Sequence, residues 1–153
     1  RWEDTIISSS VIRNELQRGH MERVNNLLGR TYFIRGKVLD GRKIGRTIGM
    51  PTTNLLPPSN KLLPPCGVYT SRTIIDGVSY PGMTNIGYKP TVGKEKEKGV
   101  ETYIFDFSKD LYGKEIDVEL LEYVRPEIKF DSIEELKVKM EEDLTFGRKF
   151  FNI

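Results

Sequence analysis

The sequence predicts a mainly β fold, an antiparallel barrel or sandwich with one long helix laid across it. Three observations carry that expectation. About six short runs of β-forming residues are separated by turn signals, they do not alternate with helices as in a βαβ series, and one helical period closes the chain.

Residues 1–30 read as largely helical. Ser10 is placed to cap a helix carrying Val11, Ile12 and Leu16, with Gly19 as its natural stop. A second short helix carries Met21, Val24, Leu27 and Leu28 on one side and ends at Gly29. From Thr31 the period changes to two, and Tyr32, Ile34, Gly36 and Val38 fall on one face of a half-buried strand. The proline-laden stretch from Pro57-Pro58 to Pro64-Pro65 fits neither helix nor central strand. Gly67–Ile75 is rich in β-formers, Asp76-Gly77 is a hairpin signal, and the chain returns through Val78–Tyr80. A short segment follows at Gly82–Ile86. The alternating Lys and Glu of Lys94–Lys98 make a solvated loop tip, a composition compatible with a mobile lid.

Val100–Phe107 and Glu115–Tyr123 are the remaining strands, the second with Ile116, Val118 and Leu120 on one face. Arg125-Pro126 interrupts that pattern. Ser132 and Glu135 then form a capping box, and Ile133, Leu136, Met140 and Leu144 share one helical face up to an expected stop at Gly147.

At 153 residues the chain is long enough to bury a core without staples. Its 24 Lys and Arg against 22 Asp and Glu leave a net charge of +2, which argues against a general nucleic-acid binder. A single cysteine, Cys66, excludes an internal disulfide and is consistent with a reducing, cytoplasmic location. No apolar run has the length of a membrane span and no signal-peptide pattern opens the chain, so no membrane partner is expected. The first residue is Arg1 and not Met, so the chain is expected to be a piece of something longer. His20, the only histidine, has no partner acid or second ligand near it in sequence and is expected at the surface.

The stretch richest in chemistry is Gly41–Asn54. It holds three glycines, the cations Arg42, Lys43 and Arg46, and a terminal Thr-x-Asn. Glycine lets a backbone approach a bulky anion, and successive N–H groups in such a turn can cradle phosphate oxygens. Thr52 and Asn54 add neutral oxygen donors of the kind that suit Mg²⁺ when a nucleotide supplies the rest. The spacing is that of neither the Walker A loop nor the Rossmann fingerprint, and a plain turn between strands has the same composition. For phosphoryl transfer the missing part is a base or orienting group. Glu101, at the start of a strand and just after the charged loop, is the candidate; an exposed strand-end Glu is the alternative.

Five blocks in order carry a family resemblance: Gly45–Asn54, Thr84–Thr91, Val100–Phe107, Asp110–Lys114 and Val124–Leu136. Together they resemble the flavokinase family, the riboflavin kinase module of bacterial FAD synthetases, over roughly residues 31–146. The resemblance implies a six-stranded antiparallel Greek-key barrel with a C-terminal helix. It further implies transfer of the ATP γ-phosphate to the 5′-hydroxyl of riboflavin to give FMN, with Mg²⁺ accompanying ATP.

By the same resemblance Glu101 is the catalytic carboxylate, and Thr52 and Asn54 are metal ligands. Gly41, Gly45, Arg46 and Thr52 contact ATP, while Ile104, Val118 and Arg125 contact the flavin. The departures are Thr53 where the family often has Ala, and Met50 in place of an aromatic. Residues 7–13 resemble the Ser-rich signature that ends the adenylyltransferase half of such synthetases. This implies a remnant over 1–30, a kinase domain over 31–153, and a native fusion to an N-terminal FMN adenylyltransferase domain. Two other readings remain: a non-catalytic barrel binding nucleic acid, and a flavin sensor without turnover.

Overall fold

The computed structural model describes residues 9–39, 52–57, 61–89, 97–107, 109 and 111–153. Gly41, Gly45 and Arg46, with most of the Lys/Glu run, lie outside the described residues. Helices α1 (Ser9–Gln17) and α2 (Met21–Leu28) lead into strands β1 (Phe33–Leu39), β2 (Thr53–Leu56), β3 (Gly67–Ile75), β4 (Val78–Lys89), β5 (Glu97–Ile104) and β6 (Glu115–Pro126). Helix α3 (Ile133–Phe151) ends the chain.

The strands close a barrel in the order β1-β2-β5-β4-β3-β6, with every neighbour antiparallel. Strands β3, β4 and β5 are consecutive neighbours and β6 returns to lie beside β3, which is a Greek key. Among the described residues, closure leaves no strand without a neighbour on either side. The interior is filled by one residue in two from each strand, including Ile34, Val38, Leu55, Tyr69, Ile86, Val100, Ile104, Ile116, Val118 and Leu120.

Two expectations about strand continuity change. Val78–Tyr80 and Gly82–Ile86 are one strand that runs through Pro81. A strand residue's N–H and C=O point the same way, and the Pro81 carbonyl accepts from Phe105 N–H, just past the end of β5. The N–H that proline lacks therefore faces the side where the neighbouring strand has stopped. The Asp76-Gly77 turn is as expected, with φ of +52° and +83°, the left-handed pair of a tight hairpin.

The second change is in β6, which continues to Pro126 through two register shifts. Leu120 pairs with Ser71, but Glu122 pairs with Thr70 and Tyr123 with Tyr69, so Leu121 is an extra residue. Arg125 then pairs with Val68, which makes Val124 the second extra residue. The first bulge turns Tyr123 inward to meet Tyr69, their rings 5.1 Å apart. The second turns Arg125 outward again.

The N-terminal helices pack on the barrel. Leu16, Met21 and Val24 join the barrel's cluster of buried residues. Asn25 clasps the junction, donating to Leu120 O at 3.1 Å and accepting from Tyr32 N at 2.7 Å. His20 is exposed, its Nδ1 2.6 Å from Glu15 Oε1. That contact, with Arg23 nearby, holds the Glu15 carboxyl below its usual range.

The capping box forms as expected. Ser132 Oγ accepts from Glu135 N–H at 3.1 Å, and Glu135 reaches back to Asp131 N–H at 3.1 Å. Gly147, however, does not end α3. The helix runs on to Phe151 and is capped by Asn152 in the left-handed region. Gly147 faces the barrel instead, where a Cβ would lie 2.5 Å from Met83 Sδ and 2.8 Å from Phe105 Cζ. Ile133, expected on the packed face, is exposed. A Gly147→Val substitution should overpack this contact, costing about 1–3 kcal/mol. Thermal denaturation should show it as a fall in Tm of several degrees, although valine is the better helix former.

Candidate active site

Alternation along β5 puts Val100, Thr102 and Ile104 inside the barrel and Glu101 and Tyr103 outside. Strand register then decides what stands beside Glu101. Asn54 of β2 is its partner on one side and Asn85 of β4 on the other. The same row continues from Asn85 to Val68 of β3 and from Val68 to Arg125 of β6. Directly opposed residues share a face, so Asn54, Glu101, Asn85, Val68 and Arg125 form one band across five strands. Measured around the barrel wall, Glu101 and Arg125 are three strand spacings apart, about 14 Å.

Thr52, just ahead of β2, donates its hydroxyl proton to Glu101 Oε2. Asn54 is 1% exposed. On the far side of the band, α3 and the segment 127–130 wall a cavity of about 260 Å³. Its apolar side is Val68, Met83, Leu136, Met140 and Leu144; its polar side includes Thr52, Asn85, Glu101, Arg125 and Glu127. A concave apolar slot with a few convergent polar groups is the usual form of a small-molecule site.

At one end of the slot, Arg125 is held by Asp143 of α3. Nε donates to Oδ1 at 2.9 Å and Nη2 to Oδ2 at 2.6 Å, while Nη1 donates to the Pro126 carbonyl at 3.0 Å. Glu127 lies over the backbone of Gly87, where a Cβ would come within 2.3 Å of its carboxylate.

Of the residues singled out in the sequence, Thr52, Glu101 and Arg125 line this one cavity, and Asn54 flanks Glu101. Ile104 and Val118 are not brought to it. They are 6% and 0% exposed and belong to the barrel interior. Ile104 is three residues from Glu101, so a regular strand turns it to the opposite face, and Val118 points inward with Ile116 and Leu120. The apolar wall comes instead from Val68, Met83 and the helix. Gly41, Gly45 and Arg46 lie outside the described residues.

Several lining residues escaped the sequence reading. Tyr103 was legible as the residue two beyond Glu101. Asp143 was legible as a fourth member of the Leu136–Met140–Leu144 face. Asn85 and Val68 depend on register, which one sequence does not state.

A closed six-stranded barrel whose outer face carries a carboxylate among neutral oxygen side chains, roofed by a C-terminal helix, holds a concave small-ligand site. The riboflavin kinase (flavokinase) family model matches residues 28–151, and the chain belongs to that family. A bifunctional riboflavin kinase/FMN adenylyltransferase of Bacillus subtilis is 41% identical over 98% of this chain and 48% of its own length. The Listeria monocytogenes protein of the same name is 39% identical over 95% of this chain and 46% of its own. The chain thus spans about half the length of the curated relatives it matches.

A solved structure described as a macrolide-efflux protein from Streptococcus pneumoniae superposes with a TM-score of 0.87 at 35% identity, over 95% of this chain and 48% of that one. Riboflavin kinase from Trypanosoma brucei shares the fold, with a TM-score of 0.53 at 23% identity over 78% of this chain and 79% of that one. Among the described residues no helix is long and apolar enough to cross a membrane.

Thr52→Val keeps the side-chain shape and removes the donor to Glu101. A hydrogen bond to a charged group contributes about 1.5–3 kcal/mol when shielded and less when partly wet. Denaturant titration should therefore show a loss of about 1 kcal/mol, whereas Thr52→Ser should stay near the parent.

Proposed function

We propose that the chain transfers the γ-phosphoryl group of ATP to the 5′-hydroxyl of riboflavin, giving FMN and ADP. We further propose that it does so as the kinase part of a cytoplasmic protein natively fused to an N-terminal FMN adenylyltransferase domain. Family membership supports the first part. Relatives named as bifunctional, of which the chain spans about half, support the second. The observation that carries the reading is the band from Glu101 to Arg125. It places a carboxylate with oxygen donors at one end of an apolar slot and a guanidinium at the other. Riboflavin has the matching shape, a flat apolar ring with polar edges and a five-carbon chain ending in the reacting hydroxyl.

Glu101 orients that hydroxyl and takes its proton as the oxygen bonds to the γ-phosphorus. The bond to the β,γ-bridging oxygen breaks and ADP leaves. A positioned base of this kind contributes about 10²–10⁴ in rate. Thr52 holds the carboxylate through its hydroxyl, which fixes one oxygen and leaves the other for substrate. The phosphate cradle is assigned to Gly41, Gly45, Arg46 and Thr52.

The donor set fits Mg²⁺, because Thr52 and Asn54 offer hard neutral oxygens beside a single carboxylate. Among the described residues no group of three or more His, Cys, Asp or Glu could hold a metal alone. The residues therefore suit an ion that arrives with the triphosphate. Bound there by Thr52 and Asn54, it would neutralise charge on the transferred group. The ring lies between Val68 and Met83 on one side and Leu136 and Leu144 on the other, with Arg125 as its polar anchor.

Incubation with riboflavin and MgATP, followed by chromatography, should yield FMN and no FAD; a folded chain that makes no FMN overturns the assignment. Glu101→Gln should lower turnover by about 100-fold or more while riboflavin still binds, and near-normal turnover would take Glu101 out of the mechanism. Arg125→Ala should weaken riboflavin binding about tenfold with ATP binding nearly unchanged, as followed by quenching of flavin fluorescence. Equal losses for both ligands would remove Arg125 from the flavin site.

A further inference from the structure

Among the described residues Asp143 is the only charged residue that is buried, at 8% exposure. Burying a carboxylate is costly, and its bidentate bond to Arg125 offsets that cost. As a device for stability alone such a pair is a poor choice, since apolar side chains of similar volume usually do as well or better. Its location suggests a different use. Asp143 sits on α3 beside Leu144 and one turn from Met140, and all three line the same cavity as Arg125 and Glu101.

An arginine at a strand end has many rotamers. Two bonds to one carboxylate and a third to the Pro126 carbonyl fix the plane of this guanidinium. A guanidinium has five N–H groups. Three are engaged, which leaves two for a ligand. The pair is also neutral overall, which suits an uncharged ring better than a bare cation would.

We propose that Asp143 is a positioning residue of the flavin site: by orienting Arg125 from α3 it sets the affinity for riboflavin, without touching the nucleotide or the transferred phosphoryl group. This rests on the riboflavin kinase reading. It also makes the placement of the helix part of substrate recognition, since the residue that aims the anchor and the residues that wall the slot are carried by the same element.

The test uses the intact chain with Asp143→Asn, Arg125→Ala, the double variant and Asp143→Glu. The readouts are KM for riboflavin, KM for ATP, kcat and Tm. Asp143→Asn keeps the side-chain shape but offers only one acceptor and no charge. It should raise KM for riboflavin about tenfold while KM for ATP stays within about twofold. Added to Arg125→Ala, it should change KM for riboflavin by less than about twofold, because its effect runs through the arginine. Asp143→Glu restores the charge and should recover part of the loss; it serves as the decisive variant if Asp143→Asn folds poorly.

An unchanged KM for riboflavin, equal rises in both KM values, or full additivity in the double variant would each overturn the positioning role. A lower Tm with no such split would leave Asp143 as a helix anchor only, which also overturns it. Failure of the unsubstituted chain to make FMN would overturn the kinase reading itself, a result separate from any of these.

Discussion

Closure of the barrel is the constraint on which the site depends. Strand β2 has only four residues, yet it must bridge β1 and β5 for the cylinder to close. The register that achieves this sets Asn54 directly beside Glu101 and leaves Thr52 just off the strand end, where its hydroxyl meets the same carboxylate. Two groups on one short segment and a third nearly fifty positions downstream are therefore juxtaposed by backbone pairing, with the side-chain contact added to it. A rigid sheet holds such a cluster more closely than loops do.

Helix α3 completes what the sheet begins. It lies on the outer face of β3, β4 and β5, and the cavity is the gap between the two where neither packs fully. Near its C-terminus the helix is close to the sheet because Gly147 has no side chain against Met83 and Phe105. Toward its start, Leu136 and Met140 stand off from the barrel and a slot opens. The Arg125–Asp143 pair lies between these regions and ties strand to helix. Close packing at one end and separation at the other give the site a floor of sheet and a roof of helix.

Much of this was legible in the sequence. Period-two alternation marked β1 and β6, β-former content marked β3, the Asp76-Gly77 turn marked a hairpin, and the Ser132–Glu135 box marked the start of α3. Residues grouped by motif, Thr52, Asn54 and Glu101, are neighbours in space. What was not legible has physical reasons. Pro81 conceals a continuous strand because only topology reveals that its missing N–H faces the chain just past the end of β5. Gly147 looks like a stop because glycine ends helices by default, and only the packed sheet beneath it gives it another purpose. Ile104 and Val118 carried a ligand-contact expectation that strand parity assigns to the core. Met83, Asn85 and Val68 join the cavity through pairing partners that no local pattern announces.

The two extra residues of β6 have a consequence for how this segment can vary. Each bulge inverts the inside–outside order of everything after it, so Tyr123 faces in and Arg125 faces out only because there are two. Drawing one extra residue into the regular ladder would swing the guanidinium into the greasy interior, even with every side chain unchanged. Drawing in both would restore the arginine but turn Tyr123 away from Tyr69. Losing Leu121 or Val124 altogether would remove its bulge and leave Arg125 opposite Val68, so backbone irregularity in this short span is as much a determinant of ligand recognition as residue identity.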